Sequence, residues 1–209
     1  ECVVDASLQP IIVANGLPSM QDFIKRLIAE PDAAAIFDHH LNPGNYAAFT
    51  GAEAVASLYS HGFPALLVTA WSSADIDNIR LFRRFIPALI QSGDAEVETI
   101  TAGLRQCLNE FAGRFAPERK PYRTLVRLED ISREPKMSLV YAAVPAWDPE
   151  QIIRFPLQLI GKQYHENIKA GTRFFAQVNI GAIHQDDLFF EKFELAEEPQ
   201  GNYAKLIHS

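Results

Sequence analysis

Residues 33–70 read AAAIFDHHLNPGNYAAFTGAEAVASLYSHGFPALLVTA, and the order of residue types in this stretch decides the fold. The short apolar run Ala34 to Phe37 ends in an acid, Asp38. A loop through Leu41 and Pro43 leads to Thr50-Gly51-Ala52-Glu53. Thr50 and Glu53 have the spacing of a capping box and open a helix to about Tyr59. A second apolar run, Pro64 to Val68, ends in Thr69-Ala70. Strand, carboxylate, loop, helix, strand, hydroxyl is the order in which a parallel α/β sheet gathers side chains at the carboxyl ends of its strands.

The same alternation extends to both sides. Cys2-Val3-Val4 and Ile11-Ile12-Val13 are β-branched runs punctuated by Asn15-Gly16 and Pro18. Ser19 is a good N-cap for a helix from Met20 to Ala29, with Asp22 at its third position and Phe23, Ile24, Leu27 and Ile28 on one face. Downstream, the pattern predicts a helix over Ala74 to Arg84, a strand over Ile86 to Ile90, and a helix from about Ala95 to Phe111 capped by Asp94. The strands are continuously apolar rather than alternating, which argues for a parallel sheet covered on both faces.

The character changes near Phe115-Ala116-Pro117-Glu118-Arg119-Lys120-Pro121, a polar, proline-bearing linker. Beyond it Thr124 to Leu128, Ser138 to Val144, Ile152 to Leu159, Arg173 to Ile180 and Leu188 to Phe193 read as strands. Phe174, Ala176, Val178 and Ile180 alternate onto one face, leaving Phe175, Gln177 and Asn179 on the other. The expected organisation is α/β then β: residues 1–114 as an α/β domain, and residues 121–209 as a small antiparallel β barrel or sandwich.

Composition narrows the function. With 209 residues, 48% hydrophobic and 22% charged, the chain is long enough for a core of ordinary size. The formal net charge of −7 argues against a general nucleic-acid binder. Arg105, Arg114, Arg119, Lys120, Arg123 and Arg127 form a local basic strip, read as a solvated helix end and linker. The two cysteines, Cys2 and Cys107, have no metal-ligand spacing, so a reducing cytoplasm is the default location. No apolar run has the length of a membrane helix, and no membrane partner is expected. The chain starts at Glu1 rather than Met and is expected to be part of something longer.

Asp38, Pro43, Gly51 and Thr69-Ala70 together resemble the middle of a receiver domain of a bacterial response regulator, over roughly Ala33 to Phe111. The resemblance implies a flavodoxin-like parallel sheet. It also implies Asp38 as phosphoacceptor, Thr69 as the switch hydroxyl, and Mg²⁺ held by Asp38 with an upstream acid, here Asp5. A kinase or other protein partner follows from it, and a homodimer stays open. The sequence departs from the pattern at two points. Asp5 is followed by Ala6 rather than a second acid, and Gln91-Ser92 stands where the family has Lys-Pro. The expectation is therefore a degenerate receiver, signalling through contacts, in which Asp38 is phosphorylated poorly.

Two other readings stay open. Asp38-His39-His40 matches the three letters of the DHH phosphoesterases, whose metal-bound hydroxide attacks phosphate; Asp38, His39 and His40 would then be metal ligands. In the third reading neither Asp38 nor the histidines react, and the chain is an interaction scaffold. No serine lies in a nucleophile-elbow context and there is no glycine-rich phosphate loop, so no catalytic residue is assigned. Trp71 and Trp147 are read as core residues, with a cover over the Asp38 site or a partner anchor as the alternative.

Overall fold

Leu66 and Leu67 are adjacent and fully buried, yet they belong to different cores. That is what a strand covered on both faces requires. They lie on β2 (Ala65–Thr69), the middle strand of a three-stranded parallel sheet flanked by β1 (Ala35–Phe37) and β3 (Leu89–Gln91). The register pairs Phe37 with Leu67 and Thr69 with Gln91. On the Leu67 side pack Phe23 and Ile24 of α1 (Met20–Ile28) and Ala52, Val55 and Leu58 of α2 (Gly51–Ser60). On the Leu66 side pack Ile100 and Cys107 of α4 (Val97–Phe111). Between β2 and β3 runs α3 (Ser73–Arg80), followed by a 3₁₀ turn over Arg83–Phe85.

The computed structural model describes residues 9, 11–13, 16, 17, 19–30, 32–41, 46–70 and 72–196. It divides into two compact units, Glu1–Arg119 and Lys120–Ser209. The expected run Cys2-Val3-Val4, together with Asp5, Pro43 and Trp71, lies outside the described residues. Ile11, Ile12 and Val13 are exposed and form no strand.

The helix starts are where local chemistry places them. Ser19 accepts from the Asp22 N–H, and Thr50 and Glu53 complete a reciprocal capping box. Three expectations need correction. The strand read over Ile86 to Ile90 is β3, Leu89–Gln91, because Ile86 closes the preceding 3₁₀ turn. The helix read over residues 74–84 stops at Arg80, because the chain tightens into the 3₁₀ turn, where the buried Arg83 donates forward to the Ile86 carbonyl. Asp94 does not cap α4; it closes a 3₁₀ turn, its carbonyl accepts the Glu96 N–H, and Glu96 is the N-cap.

The second unit is an antiparallel sheet of five strands in the order β6-β5-β4-β7-β8. The strands are β4 (Tyr122–Ser132), β5 (Leu139–Val144), β6 (Asp148–Pro156), β7 (Arg173–Val178) and β8 (Phe190–Leu195). The expected barrel is not formed, and β6 and β8 remain edges. The reason lies in the connections. Leu157, Ile160 and Ile168 between β6 and β7, and Ala182 and Leu188 between β7 and β8, join the core laid down by Val126, Leu128, Phe155, Phe174 and Val178. Irregular chain thus supplies the second layer that barrel closure or a second sheet would otherwise provide. The fully buried Asn179 holds one connection in place, accepting the Phe189 N–H at 2.7 Å and donating to the Asp187 carbonyl at 3.0 Å. Trp147 packs against the same core and donates to the Ala182 carbonyl, in keeping with its core reading. Both edges resist further pairing: β6 carries Pro149 and Pro156, and β8 is broken by Lys192 at a φ of 54°.

Candidate functional site

Asp38 is the first residue after β1, and Thr69 is the last of β2. Because those strands are parallel neighbours, the two side chains meet at one sheet edge. The Thr69 hydroxyl donates to Asp38 Oδ1 at 2.6 Å, and the His40 N–H donates to the same oxygen at 3.2 Å. Thr69 is 2% exposed, while Asp38 is open to solvent.

Gly51 permits the arrangement. The first turn of α2 comes so close to the end of β1 that a Cβ on Gly51 would lie 2.0 Å from the Asp38 carbonyl oxygen. Its N–H instead donates to the His39 carbonyl at 3.1 Å, which also accepts from the Leu41 N–H at 3.2 Å.

His39 and His40 divide between core and surface. His39 is 4% exposed and its Nδ1 has no hydrogen-bond partner among the described residues. Burial, then the neighbouring His40, push its pKa below the usual imidazole value against the pull of Asp75, Asp38 and Glu53. His40 is half-exposed, meets the His39 ring edge-on at 5.1 Å, and places Nε2 3.4 Å from Asp75 Oδ1. Asp75 also caps α3, accepting the Ser72 N–H at 2.8 Å and its hydroxyl at 2.7 Å. Burial works against its ionisation, but the Ser72 bonds, then His40 and His39, hold its pKa below the ordinary carboxylate value. Ser72 and Asp75 were missed as site residues, although Ser-x-x-Asp is itself a capping signature.

Mg²⁺ takes an octahedron of oxygens, and the oxygen donors described at this edge include the Asp38 carboxylate and the Thr69 hydroxyl. Among the described residues no group of three His, Cys, Asp or Glu side chains gathers to hold a metal ion, so Asp38, His39 and His40 do not make a three-ligand set. Asp5 lies outside the described residues. The strand-end position of the family's lysine holds Gln91, and Ser92 follows in a turn.

Arg84 and Arg119 are engaged with Glu110. Glu110 of α4 has a fully buried side chain and accepts from Arg119 Nε at 2.8 Å and Nη2 at 3.3 Å. Arg119 also donates to the Arg83 and Arg84 carbonyls, at 3.1 and 2.9 Å. Tyr59 donates to Glu110 at 3.1 Å, and Arg84 lies 3.7 Å from Glu110 and over the Phe115 ring. Burial, reinforced by Glu110 and opposed by the Arg84 hydrogen bond, raises the Tyr59 pKa. The expected basic strip is therefore not one surface: Arg119 is buried, and Arg123 and Arg127 pair with Glu194 and Glu129. Helical periodicity could not reveal this clasp, because Arg119 falls after the end of α4.

No helix among the described residues is long and apolar enough to cross a membrane. Comparison with protein-family models, with curated proteins and with solved structures finds no match for this chain.

Proposed function

We propose that residues 1–119 are a receiver-like, flavodoxin-type signalling unit joined to a β output or adaptor unit, working through protein contacts in a reducing cytoplasm. The observation that carries this reading is the 2.6 Å hydrogen bond between Thr69 and Asp38 across the ends of adjacent parallel strands. It supports a carboxylate and a hydroxyl whose states are linked, one at the β1–α2 loop and one at the start of the β2–α3 connection. A partner that displaced Thr69 from Asp38 would be sensed at both loops.

Poor phosphorylation of Asp38 belongs to the same proposal. A transferred phosphoryl group brings a charge of about −1.5 to −2 that needs cationic or hydrogen-bond support. Among the described residues Asp38 accepts from a hydroxyl and a backbone N–H, with Asp75 close by through His40. The test is intact-mass measurement after incubation with Mg²⁺ and acetyl phosphate, alongside fluorescence or NMR titration with beryllofluoride. Wild type is expected to remain unmodified and unshifted. Stoichiometric addition that Asp38→Asn abolishes would overturn the inert-carboxylate part of the reading.

A further inference from the structure

Arg105 and Arg114 belong to the basic run of the sequence but take no part in the Glu110 clasp, and the end of α4 brings them to one place. Gly113 leaves the helix at a φ of 74°, in the left-handed region that glycine adopts freely. Its N–H donates to the Glu110 carbonyl at 2.9 Å, and the Arg114 N–H donates to the Asn109 carbonyl at 2.8 Å. Those two bonds close a Schellman motif, which turns the chain back beside the helix. A cleft of about 350 Å³ results, walled by Ala102, Arg105 and Asn109 of α4 and by Arg114, Phe115 and Ala116 of the returning chain. Small-molecule sites span roughly 300–1,000 Å³, so the cleft has the capacity for a compact ligand.

The charge in this lining has one sign. Arg105 and Arg114 are its charged residues, and no carboxylate is among them. Arg114 donates from Nε and Nη2 to Asn109 Oδ1, at 3.3 and 2.9 Å, which fixes the guanidinium plane. Arg105 is exposed and, among the described residues, makes no hydrogen bond or ion pair. The acids nearest in the chain do not offset it. Glu110 is buried against Arg119, and Glu98 and Glu118 stand outside the lining. A helix C-terminus favours a cation in its last turn, which accounts for Arg114. Arg105 lies before that turn and has no such role. Gln106 adds a polar edge: its Nε2 donates to the Pro87 carbonyl at 2.9 Å, which keeps its Oε1 as an acceptor. Asn109, whose Oδ1 is taken by Arg114, keeps its Nδ2 as a donor.

We propose that this cleft binds a phosphate monoester carried on a flat heteroaromatic body, a ligand of the size and chemistry of a mononucleotide. Its phosphate, with a charge of about −1.5 to −2, sits between the Arg105 and Arg114 guanidinium groups. Its ring lies against Phe115, Ala102 and Ala116, and the Gln106 and Asn109 amides meet the polar edge of that ring. A long nucleic-acid strand fits less well, because beyond these two cations it meets a chain of net charge −7. The inference is independent of the Asp38 edge.

The experiment is isothermal titration calorimetry of the full chain with adenosine monophosphate at low salt, with adenosine and inorganic phosphate as separate arms. Wild type is expected to bind the nucleotide, and each part alone at least about tenfold more weakly. Arg105→Gln is expected to weaken nucleotide binding about tenfold through loss of a charge-assisted contact, with an unchanged melting temperature. Lys25→Gln removes the same charge from the exposed side of α1 and is expected to leave affinity unchanged, as is Asp38→Asn. No binding of the nucleotide by wild type would overturn the proposal. So would equal binding by Arg105→Gln, a lower melting temperature in that variant, or the same weakening by Lys25→Gln. Adenosine or phosphate binding as tightly as the nucleotide would overturn the two-part ligand. Tighter binding of a thymidine decanucleotide would overturn it in favour of nucleic acid.

Discussion

Replacing Gly51 by alanine tests whether the close approach of α2 to the end of β1 is what builds the Asp38 edge. The added methyl would lie 2.0 Å from the Asp38 carbonyl oxygen, 2.8 Å from its carbon and 3.0 Å from Leu67 Cδ1. Two of these are backbone atoms, so no rotamer change relieves the overlap, and α2 or the Asp38 peptide must move by about 1 Å. Overpacking of a dense site costs about 1–3 kcal/mol, and a rigid backbone neighbour puts this case at the upper end. Loss of the Gly51 to His39 hydrogen bond adds about 1 kcal/mol. The smaller unfolded-state entropy of alanine returns about 0.4–1 kcal/mol. The net destabilisation is about 3 kcal/mol, or a drop of roughly 12 °C in the melting of the first unit at about 4 °C per kcal/mol. Differential scanning calorimetry, which separates the transitions of a two-unit chain, is the assay. Gly93→Ala is the control, because its Cβ would meet nothing within 4 Å. A Gly51→Ala protein melting within about 3 °C of wild type would refute the packing argument.

Other substitutions and conditions probe the rest of the first unit. Arg119→Ala leaves the Glu110 carboxylate buried and uncompensated, and is expected to cost about 3–5 kcal/mol in urea denaturation; adding Glu110→Gln should recover a substantial part. His39 protonates at lower pH in the folded chain than in the unfolded one. Between its folded pKa and about 6.5 the unfolded state therefore binds more protons, and stability falls as pH drops through that window. His39→Phe should flatten the slope of urea midpoint against pH there, and an unchanged slope would remove His39 as its cause. Burial raises the Cys107 thiol to about 11, and it donates to the Ala65 carbonyl. In peptide-resolved mass spectrometry at pH 8, Cys107 is expected to resist iodoacetamide until the chain is unfolded.

The elements that a short window could specify were legible in the amino-acid order. Ser19 with Asp22, and Thr50 with Glu53, start their helices as local capping chemistry dictates. The apolar runs ending in Asp38 and Thr69 became neighbouring parallel strands, because a run without alternation has to be buried on both faces. What escaped was set by partners distant in sequence. Nothing in Asp38-His39-His40 distinguishes the two imidazoles, and only the docking of α2 and α3 sends one inward and the other to Asp75. The open sheet in place of a barrel was equally hidden. It depends on residues 157–170 and 179–189 folding over one face, and those segments carry no period of their own.

The two arginine clusters show why burial has to be read together with pairing. Arg119 is 2% exposed, but Glu110 and two carbonyls take up its donors, so the buried charge is spent on tying the end of the first unit to α4 and the 83–85 turn. A satisfied charge of that kind is costly to break and has nothing left to offer a ligand. Arg173 is the reverse case. It lies on an accessible face, directly across from Arg127, where moving either residue one position along its strand would turn it into the core. The register is fixed by Phe174, Ala176 and Val178 on the inner face, so the repulsion cannot relax by slippage. A substitution there would remove the repulsion at no cost to the core, whereas Arg119→Ala leaves Glu110 buried and uncompensated.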